Sequence, residues 1–349
     1  MVAVSNKSLI FKAIPETFPE ASKHLIVEDR PIDLDTVHIH GGILLKVLYA
    51  SFDPYMRGRM RDPSIKSYSP PMTLNEPVDS AIVGKVIRSE APEFKVGDIV
   101  SSFYGPNAEY AVIPYQVFPR IVIRKVHNPH NLPLSYFIGY LGMPGTTVYQ
   151  GLYEIAKPKT GETIFVSSAA GAVGQLVGQI CKAEGLRVIG SAGSKEKVEY
   201  VKSIGFDGVF NYKEEKPGDA LERLAPNGID IYWDNVGGEH LEAALEAINK
   251  SGRIVACGSI DDYNTPFERR HGIKNYIQII VKSVLVQGFI VDVAGRYQAM
   301  LERFTPLFAS GKFRVKEDIY EGIDKAPEAL VGIFRGNNFG KTILKIADR

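Results

Sequence analysis

Thr163-Ile164-Phe165-Val166-Ser167-Ser168-Ala169-Ala170-Gly171-Ala172-Val173-Gly174-Gln175-Leu176-Val177-Gly178 runs from an apolar, β-branched stretch through small residues into an amphipathic helical pattern. It reads as strand, tight turn and helix. Such a turn aims backbone N–H groups and the positive end of the helix dipole at a phosphate, and only very small side chains let an anion come that close. A dinucleotide-binding turn is expected to read G-x-G-x-x-G, whereas here it reads Ala169-x-Gly171-x-x-Gly174, with alanine in the first place. Gly171 is expected to admit a pyrophosphate and Gly174 to let the helix lie close on its strand. A glycine turn that binds nothing is the alternative, and the surrounding chain decides between them.

Downstream the same alternation repeats. Strands are predicted over 186–191, 208–212, 229–234, 253–258 and 284–291, with helices over 195–204, 219–224, 240–248 and 296–308. Strict alternation implies parallel strands joined by right-handed crossovers, a doubly wound Rossmann sheet. Upstream the texture differs. Short apolar runs broken by Pro and Gly, such as 43–49, 80–87 and 108–113, predict an all-β, compact, irregular barrel up to about residue 135. The change falls near Pro133, and from Lys312 the pattern returns to strand, short helix and strand, with 341–346 rejoining the N-terminal part. The predicted fold is therefore α/β in two domains, 1–135 with 313–349, and 136–312.

A chain of 349 residues can bury a large core, and its length suits two domains. Lys and Arg number 41 against 40 for Asp and Glu, a net charge of +1 that gives no global field to draw nucleic acid or an anionic membrane. The opening residues carry no signal pattern, and no apolar run nears the roughly 20 residues a membrane span needs. A soluble, cytoplasmic protein with neither nucleic-acid nor membrane partners is expected. Cys181 and Cys257 are the only cysteines, which excludes a disulfide framework or a Cys-rich zinc site; both are expected to be core thiols.

Roughly 20 residues past the glycine turn, folds selective for NAD place an acid at the end of the second strand. Gly190-Ser191-Ala192-Gly193-Ser194-Lys195-Glu196-Lys197 has none at the strand end. Instead Lys195 and Lys197 open the next helix, where a cation opposes the dipole unless an anion lies nearby. This favours a 2′-phosphate, hence NADPH; an ordinary solvated first turn is the other reading. Asp234-Asn235-Val236-Gly237-Gly238 follows the fourth strand at the carboxyl edge, where doubly wound folds bind ligands. A polar side chain and paired glycines there suit close contact with the nicotinamide half, or else form a plain turn.

Together these residues resemble the zinc-free medium-chain dehydrogenase/reductases, specifically the alkenal double-bond reductases and the related prostaglandin and leukotriene reductases. The resemblance is carried also by Asp53-Pro54-Tyr55-Met56-Arg57-Gly58-Arg59-Met60, Leu141-Gly142-Met143-Pro144-Gly145-Thr146-Thr147, Phe210-Asn211-Tyr212-Lys213, Gln287-Gly288-Phe289 and Lys325-Ala326-Pro327-Glu328-Ala329-Leu330. It implies a GroES-like β-barrel catalytic domain completed by the C-terminal segment, a Rossmann domain binding NADPH, and a homodimer joined through the latter. It puts the 2′-phosphate contacts on Lys197 and Tyr212, with Gly193 beside them, and the nicotinamide-side contacts on Asn235, Phe289, Val291 and Asn338. Met143, Thr147, Val173 and Cys257 join Ala169, Gly171 and Gly174 in the implied cofactor set. Tyr55 and Tyr263 match substrate-pocket tyrosines, whereas Asp261-Asp262 departs from the shorter, less acidic loop expected there. Zinc-dependent relatives use a Cys ligand after an early strand, a Gly-His-Glu segment and a four-cysteine lobe. Here Ser51-Phe52-Asp53 and Pro77-Val78-Asp79 stand in those regions, so no metal is expected.

The implied reaction is NADPH-dependent reduction of the C=C bond of α,β-unsaturated aldehydes or ketones. Hydride goes to the β-carbon while a phenol donates to the carbonyl oxygen as enolate charge develops, an effect worth about 3 to 4 kcal/mol by comparison with oxyanion-hole donors. Tyr263 or water then protonates the α-carbon. Tyrosine suits the task because its ordinary pKa of about 10 keeps it a donor at neutral pH. Tyr263 is the candidate donor and Tyr55 a substrate-positioning group. Two other readings stand: an NADPH quinone reductase, and an NADPH-binding protein without catalysis.

Overall fold

The computed structural model describes residues 3–349. In chain order the first strands are β1 (Lys7–Phe11), β2 (Leu25–Asp29), β3 (Ile43–Ser51), β4 (Asp79–Ser89), β5 (Ile99–Pro106), β6 (Tyr110–Ile113) and β7 (Ile123–Lys125), with one turn of helix, α1 (Met56–Arg59), after β3. Helix α2 (Met143–Gln150) and a π-helical turn, Gly151–Ala156, lead to β8 (Thr163–Val166), α3 (Ala172–Ala183), β9 (Arg187–Ala192), α4 (Lys195–Ser203), β10 (Gly208–Asn211) and α5 (Pro217–Leu224). Then come β11 (Ile229–Asp234), α6 (Gly238–Ala247), β12 (Ile248–Ala256), α7 (Ile277–Val281), β13 (Leu285–Gly288) and α8 (Val293–Ala309), and finally β14 (Glu317–Glu321), α9 (Ala326–Phe334) and β15 (Lys341–Lys345). The chain divides into two units, one running to Gly142 and resuming over Glu317–Arg349, the other Met143–Lys316.

In the first unit the sheet order is β14-β15-β3-β4-β5-β7, with β6 also on β3. Strand β3 is buried along nearly its whole length because it has neighbours on both sides, which explains its continuous apolar run. Register shifts between Leu44 and Leu45 and between Val47 and Tyr49 bend it. Strand β1 crosses the ends of β4 and β5, Leu9 N–H donating to the Asn107 carbonyl (2.8 Å) and Val78 N–H to that of Leu9 (2.8 Å). Leu9, Phe11, Leu45, Val47, Leu330 and Leu344 meet in the enclosed core. The 3-10 turn Leu134–Ile138 packs on β3, β4 and β5, so the helical texture beginning after Pro133 belongs to this unit.

The second unit holds six parallel strands in the order β10-β9-β8-β11-β12-β13. The order reverses between β8 and β11, which opens a crevice at their carboxyl ends. Helix α7 has no counterpart in the expected pattern, and two strands have other bounds than expected. Strand β12 begins at Ile248, where a helix end was predicted, because Ile248 pairs with Ile229 of β11 ahead of a bulge. Strand β13 stops at Gly288 rather than Val291, since its neighbour's last paired residue is Ala256. Phe165 stacks on Tyr232 at 5.0 Å and on Phe210 at 5.9 Å in the core. Trp233 is fully buried where Gly151 lets the π-helical turn lie against its indole.

Helix α3 is held on both faces. Toward the sheet, a Cβ on Gly178 would run into the Phe206 ring, so glycine sets how near the helix lies. On another face Gln175 and Gln179 form a buried polar ladder to the residues that leave this unit. Gln175 Oε1 accepts from Lys316 N–H (2.8 Å) and from the Tyr200 hydroxyl (2.6 Å), and Gln179 Oε1 accepts from Arg314 N–H (3.0 Å) while its Nε2 donates to the Arg314 carbonyl (2.9 Å). These bonds keep 314–316 with the second unit, past the residue 312 expected from sequence. Among the described residues no helix is long and apolar enough to cross a membrane.

Gly178→Ala is expected to destabilise the protein by about 1 to 3 kcal/mol through overpacking against Phe206. Phe206→Leu in the same background is expected to recover part of that loss, read by urea denaturation.

Candidate active site

Ser168 adopts a left-handed conformation (φ 52°) and ends β8's exit, and Gly171 then enters α3 as its N-cap without a side chain to cap it. The first-turn N–H groups of α3 therefore have no acceptor from their own helix or cap. Ala169 is fully buried, its N–H donating to the Ser191 carbonyl (2.9 Å). Its methyl occupies the space left by Gly190 of β9, where an added Cβ would stand 2.8 Å away. The neighbouring strand thus supplies the room that the missing first glycine would have given. A Cβ on Gly174 would collide with the Ser168 carbonyl and lie 2.7 Å from Ala169 Cα, so this glycine sets the helix–strand approach, as expected. Val173 sits half-buried on the first turn. Uncapped N–H groups above a side-chain-free turn fit the pyrophosphate of a dinucleotide.

At the end of β9, Ser194 caps α4 by accepting from Lys197 N–H (3.3 Å), which puts Lys197, half-buried, in the first turn. The Tyr212 hydroxyl lies over Gly193, 2.8 Å from where a Cβ would be. Gly193, Lys197 and Tyr212 therefore converge on one strand end, although 212 is read from another strand. Sequence reasoning missed His240, which supports this group from below. Its ring meets Tyr212 edge-on at 5.4 Å, stacks on Phe165 at 6.3 Å, and is hydrogen-bonded to Ser191 Oγ (3.1 Å). Burial pushes its pKa down to about 4, so the ring is neutral at pH 7.

A polar cluster organises the carboxyl ends of β11 and β12. The buried Asp234 Oδ1 accepts from the Tyr232 hydroxyl (2.8 Å), Val236 N–H (3.0 Å) and Gly237 N–H (2.8 Å). Burial raises its carboxyl above the usual range while those donors oppose the shift. Asn235 donates from its backbone to Ser167 Oγ (2.9 Å) and from Nδ2 to the Ser167 carbonyl (2.7 Å), and its Oδ1 accepts from the Trp233 indole (3.1 Å). Ser167, unremarked in the sequence, is thus the anchor of Asn235. Gly237 and Gly238 take positive φ (76° and 52°), and Ser259 Oγ and Asp261 Oδ2 of this chain's own next loop stand 2.5 Å or less from where their Cβ atoms would be. Asp262 Oδ2 accepts from Ser259 Oγ (2.6 Å), so both loop acids are used in shaping the turn before Tyr263.

That turn brings the Tyr263 hydroxyl over Gly258, 3.3 Å from where a Cβ would stand, and the Asn235 carbonyl lies 3.4 Å from the same point. Cys257 is only half-buried at the end of β12, donating its N–H to the Asp234 carbonyl (2.9 Å), whereas Cys181 is a core thiol as expected. Burial, with the Asp234 charge, pushes the Cys257 thiol up to about 12, so it stays protonated. Phe289 and Val291 follow β13 half-buried. Thr147 donates to the Met143 carbonyl (2.9 Å) within α2, so these two pair with each other.

Tyr55 and Asn338 belong to the first unit. Tyr55 opens α1, and its phenol is held protonated by burial and then by the Asp53 charge. Asn338 Nδ2 donates to the Gly340 carbonyl (3.0 Å) just before β15. Ser51 and Asp53, in one region where zinc-dependent enzymes hold metal, are bonded to each other, Oγ to Oδ2 at 2.7 Å. Among the described residues no group of three or more His, Cys, Asp or Glu is placed to hold a metal ion.

Two family models match the chain: zinc-binding dehydrogenase over residues 172–305 and N-terminal domain of oxidoreductase over residues 7–119. The chain is 47% identical over 348 residues to NADP-dependent oxidoreductase RED1 of Cochliobolus heterostrophus, covering 98% of each chain. It is 43% identical over 350 residues to the NADP(+)-dependent 2-alkenal reductase of Nicotiana tabacum, covering 99% of this chain and 98% of that one. Among solved structures, CurA of Vibrio vulnificus in complex with NADPH matches with a TM-score of 0.86 at 34% identity, over 98% of this chain and 100% of that one.

His240 generates a pH prediction. Its folded pKa, about 4, lies below the ordinary 6.5, so between these values only the unfolded chain takes up the proton. Stability is full above the unfolded value and is expected to fall as pH drops toward the folded one, by on the order of 3 kcal/mol. Urea denaturation from neutral pH down to about 4 measures this, and His240→Gln is expected to flatten the profile.

Proposed function

The chain belongs to the medium-chain dehydrogenase/reductase family, in its group of NADP-dependent alkenal double-bond reductases, and on that premise we propose that it reduces the C=C bond of α,β-unsaturated aldehydes and ketones with NADPH. The observation that carries the reading is the Tyr263 hydroxyl seated over Gly258, at the carboxyl edge of the sheet whose glycine turn suits a dinucleotide. The likeness to a 2-alkenal reductase and to a structure holding NADPH supports it.

NADPH, when bound, supplies the hydride that the β-carbon accepts. The chain's own part begins with holding: the α3 turn takes the pyrophosphate, and Gly193, Lys197 and Tyr212 take the 2′-phosphate. Tyr263 donates a hydrogen bond to the acceptor's carbonyl oxygen, and the bond strengthens as negative charge builds there, which is what makes it lower the barrier. The α-carbon then takes its proton from Tyr263 or water. Tyr55, kept protonated, orients the acceptor. No metal is called on, because the phenol does the polarising. The matching zinc-binding model covers residues 172–305, outside the Ser51 and Asp79 regions where zinc ligands would stand.

The enzyme works in the cytoplasm as a homodimer on this reading. Strand β13 ends its sheet with an unpaired edge among the described residues, and Leu285, Val286, Ile277, Ile280 and Val281 are all exposed beside it. An exposed apolar edge of this kind is a template for pairing with a second copy.

Oxidation of NADPH and NADH against 2-alkenals, enones, quinones and simple ketones tests the function. NADPH with a 2-alkenal is expected to be the preferred pair, and Tyr263→Phe to lower kcat by about 10²- to 10³-fold with NADPH affinity unchanged. A quinone as the better acceptor, indifferent to Tyr263→Phe, would favour quinone reduction; NADPH binding with no turnover would favour a non-catalytic role. Light scattering is expected to give twice the chain mass of 38.5 kDa, and Val286→Lys with Ile280→Asp to give monomers.

A further inference from the structure

Strands β3 and β15 pair up to Ser51 and Ile343, with one further bond from Phe52 N–H to the Thr342 carbonyl (3.3 Å). Beyond that fork each chain turns into its own loop. One leads into the turn of Tyr55, where the Asp53 carbonyl accepts from Met56 N–H (3.1 Å); the other leads back through Gly340 to Asn338. Across the fork lies an ion pair. Lys341 Nζ donates to Asp53 Oδ1 (2.9 Å) and to the Phe52 carbonyl (2.5 Å), with side-chain exposures of only 1% for Lys341 and 9% for Asp53. Asp53 Oδ2 is fixed in turn by Ser51 Oγ (2.7 Å). From β14, Glu317 faces the same ammonium as the register partner of Lys341, and its Oε2 accepts from Ser135 Oγ (2.9 Å).

Burying an ammonium and a carboxylate costs several kcal/mol in desolvation, and replacing such a pair by neutral side chains of similar volume is often neutral or stabilising. Stability alone is therefore a weak reason for this pair, whereas fixing the register of two loops is the best-attested use of one. Both loops carry residues of the reaction: Tyr55 for the acceptor, Asn338 for the nicotinamide side. We propose that Lys341 is a positioning residue of the reductase, its buried ammonium clasping the Asn338 loop to the Tyr55 turn through Asp53. The inference rests on the reductase reading above.

Three proteins test it: wild type, Asp53→Asn with Lys341→Met, and Ser51→Ala, which keeps both charges but frees Asp53 Oδ2. The readouts are Tm, NADPH affinity by fluorescence, KM and kcat for a 2-alkenal, and amide hydrogen exchange. Burial already raises the Glu317 carboxyl to about 7, so it takes up a proton once the ammonium is gone, and Tm of the double variant is expected to stay near wild type, while exchange quickens in 53–60 and 336–341 together and kcat/KM for the alkenal falls roughly tenfold or more. Ser51→Ala is expected to shift the same quantities in the same direction by less. Wild-type exchange and KM in a folded double variant would overturn the clasp; should that variant not fold, wild-type values in Ser51→Ala would overturn it. If wild type does not reduce alkenals at all, the reductase reading fails, and the exchange data still decide on the clasp.

Discussion

The methyl of Ala169 against Gly190 is the contact on which the nucleotide unit's geometry turns. A dinucleotide turn needs the chain to leave its strand and enter a helix with almost nothing between them, and a first-position glycine normally provides that clearance. Here β9 provides it: Gly190 leaves a hollow at the point where Ala169 would otherwise collide. Gly174 and Gly178 then hold α3 against β8 and Phe206. The exit of β8, the descent of α3 and the depth of β9 are therefore one packing problem with one solution, in which a larger residue at any of these positions displaces the others.

Much of this was legible in the sequence. Six strands and five of the six helices that follow them carry a periodicity that short-range patterning captures well, and a glycine turn is local by nature. The return of the last strand to the first unit was also legible, because 341–346 is an apolar run with no helix left to serve. What escaped reading was whatever depends on contacts between distant segments. His240 looks like an ordinary residue on the first turn of a helix, yet its ring reaches Ser191 of β9 and Tyr212 just past β10. Lys341 looks like a strand-end lysine facing water, and only the fold supplies Asp53, 288 positions away.

The glycine pair at 237–238 is a different case. Small residues at a sheet's carboxyl edge mark a close approach, and composition does not say by what. In this chain the approach is made by Ser259 and Asp261, and the acids before Tyr263 serve that contact. Asp234 and Ser167 complete the arrangement by fixing Asn235 from beneath. The turn that carries Tyr263 is therefore shaped by five polar side chains, Ser167, Asp234, Ser259, Asp261 and Asp262.

The glutamine ladder on α3 has a consequence for synthesis of the chain. Gln175 and Gln179 are made early, yet the backbone groups they bond, at Arg314 and Lys316, follow 135 to 141 residues later. Until those residues leave the ribosome, Gln175 keeps its bonds to Tyr200 and Ala170 and Gln179 its bond to the Gln175 carbonyl, but the bonds to the 314–316 backbone are unmade, and a buried amide short of bonds is costly. The first unit waits likewise for β15 to join β3. The second unit has all its residues once Lys316 is made, whereas the first still awaits 317–349. A ribosome stalled before Arg314 therefore carries the second unit's six strands without the backbone that Gln175 and Gln179 bond, and the first unit's sheet without β14 and β15.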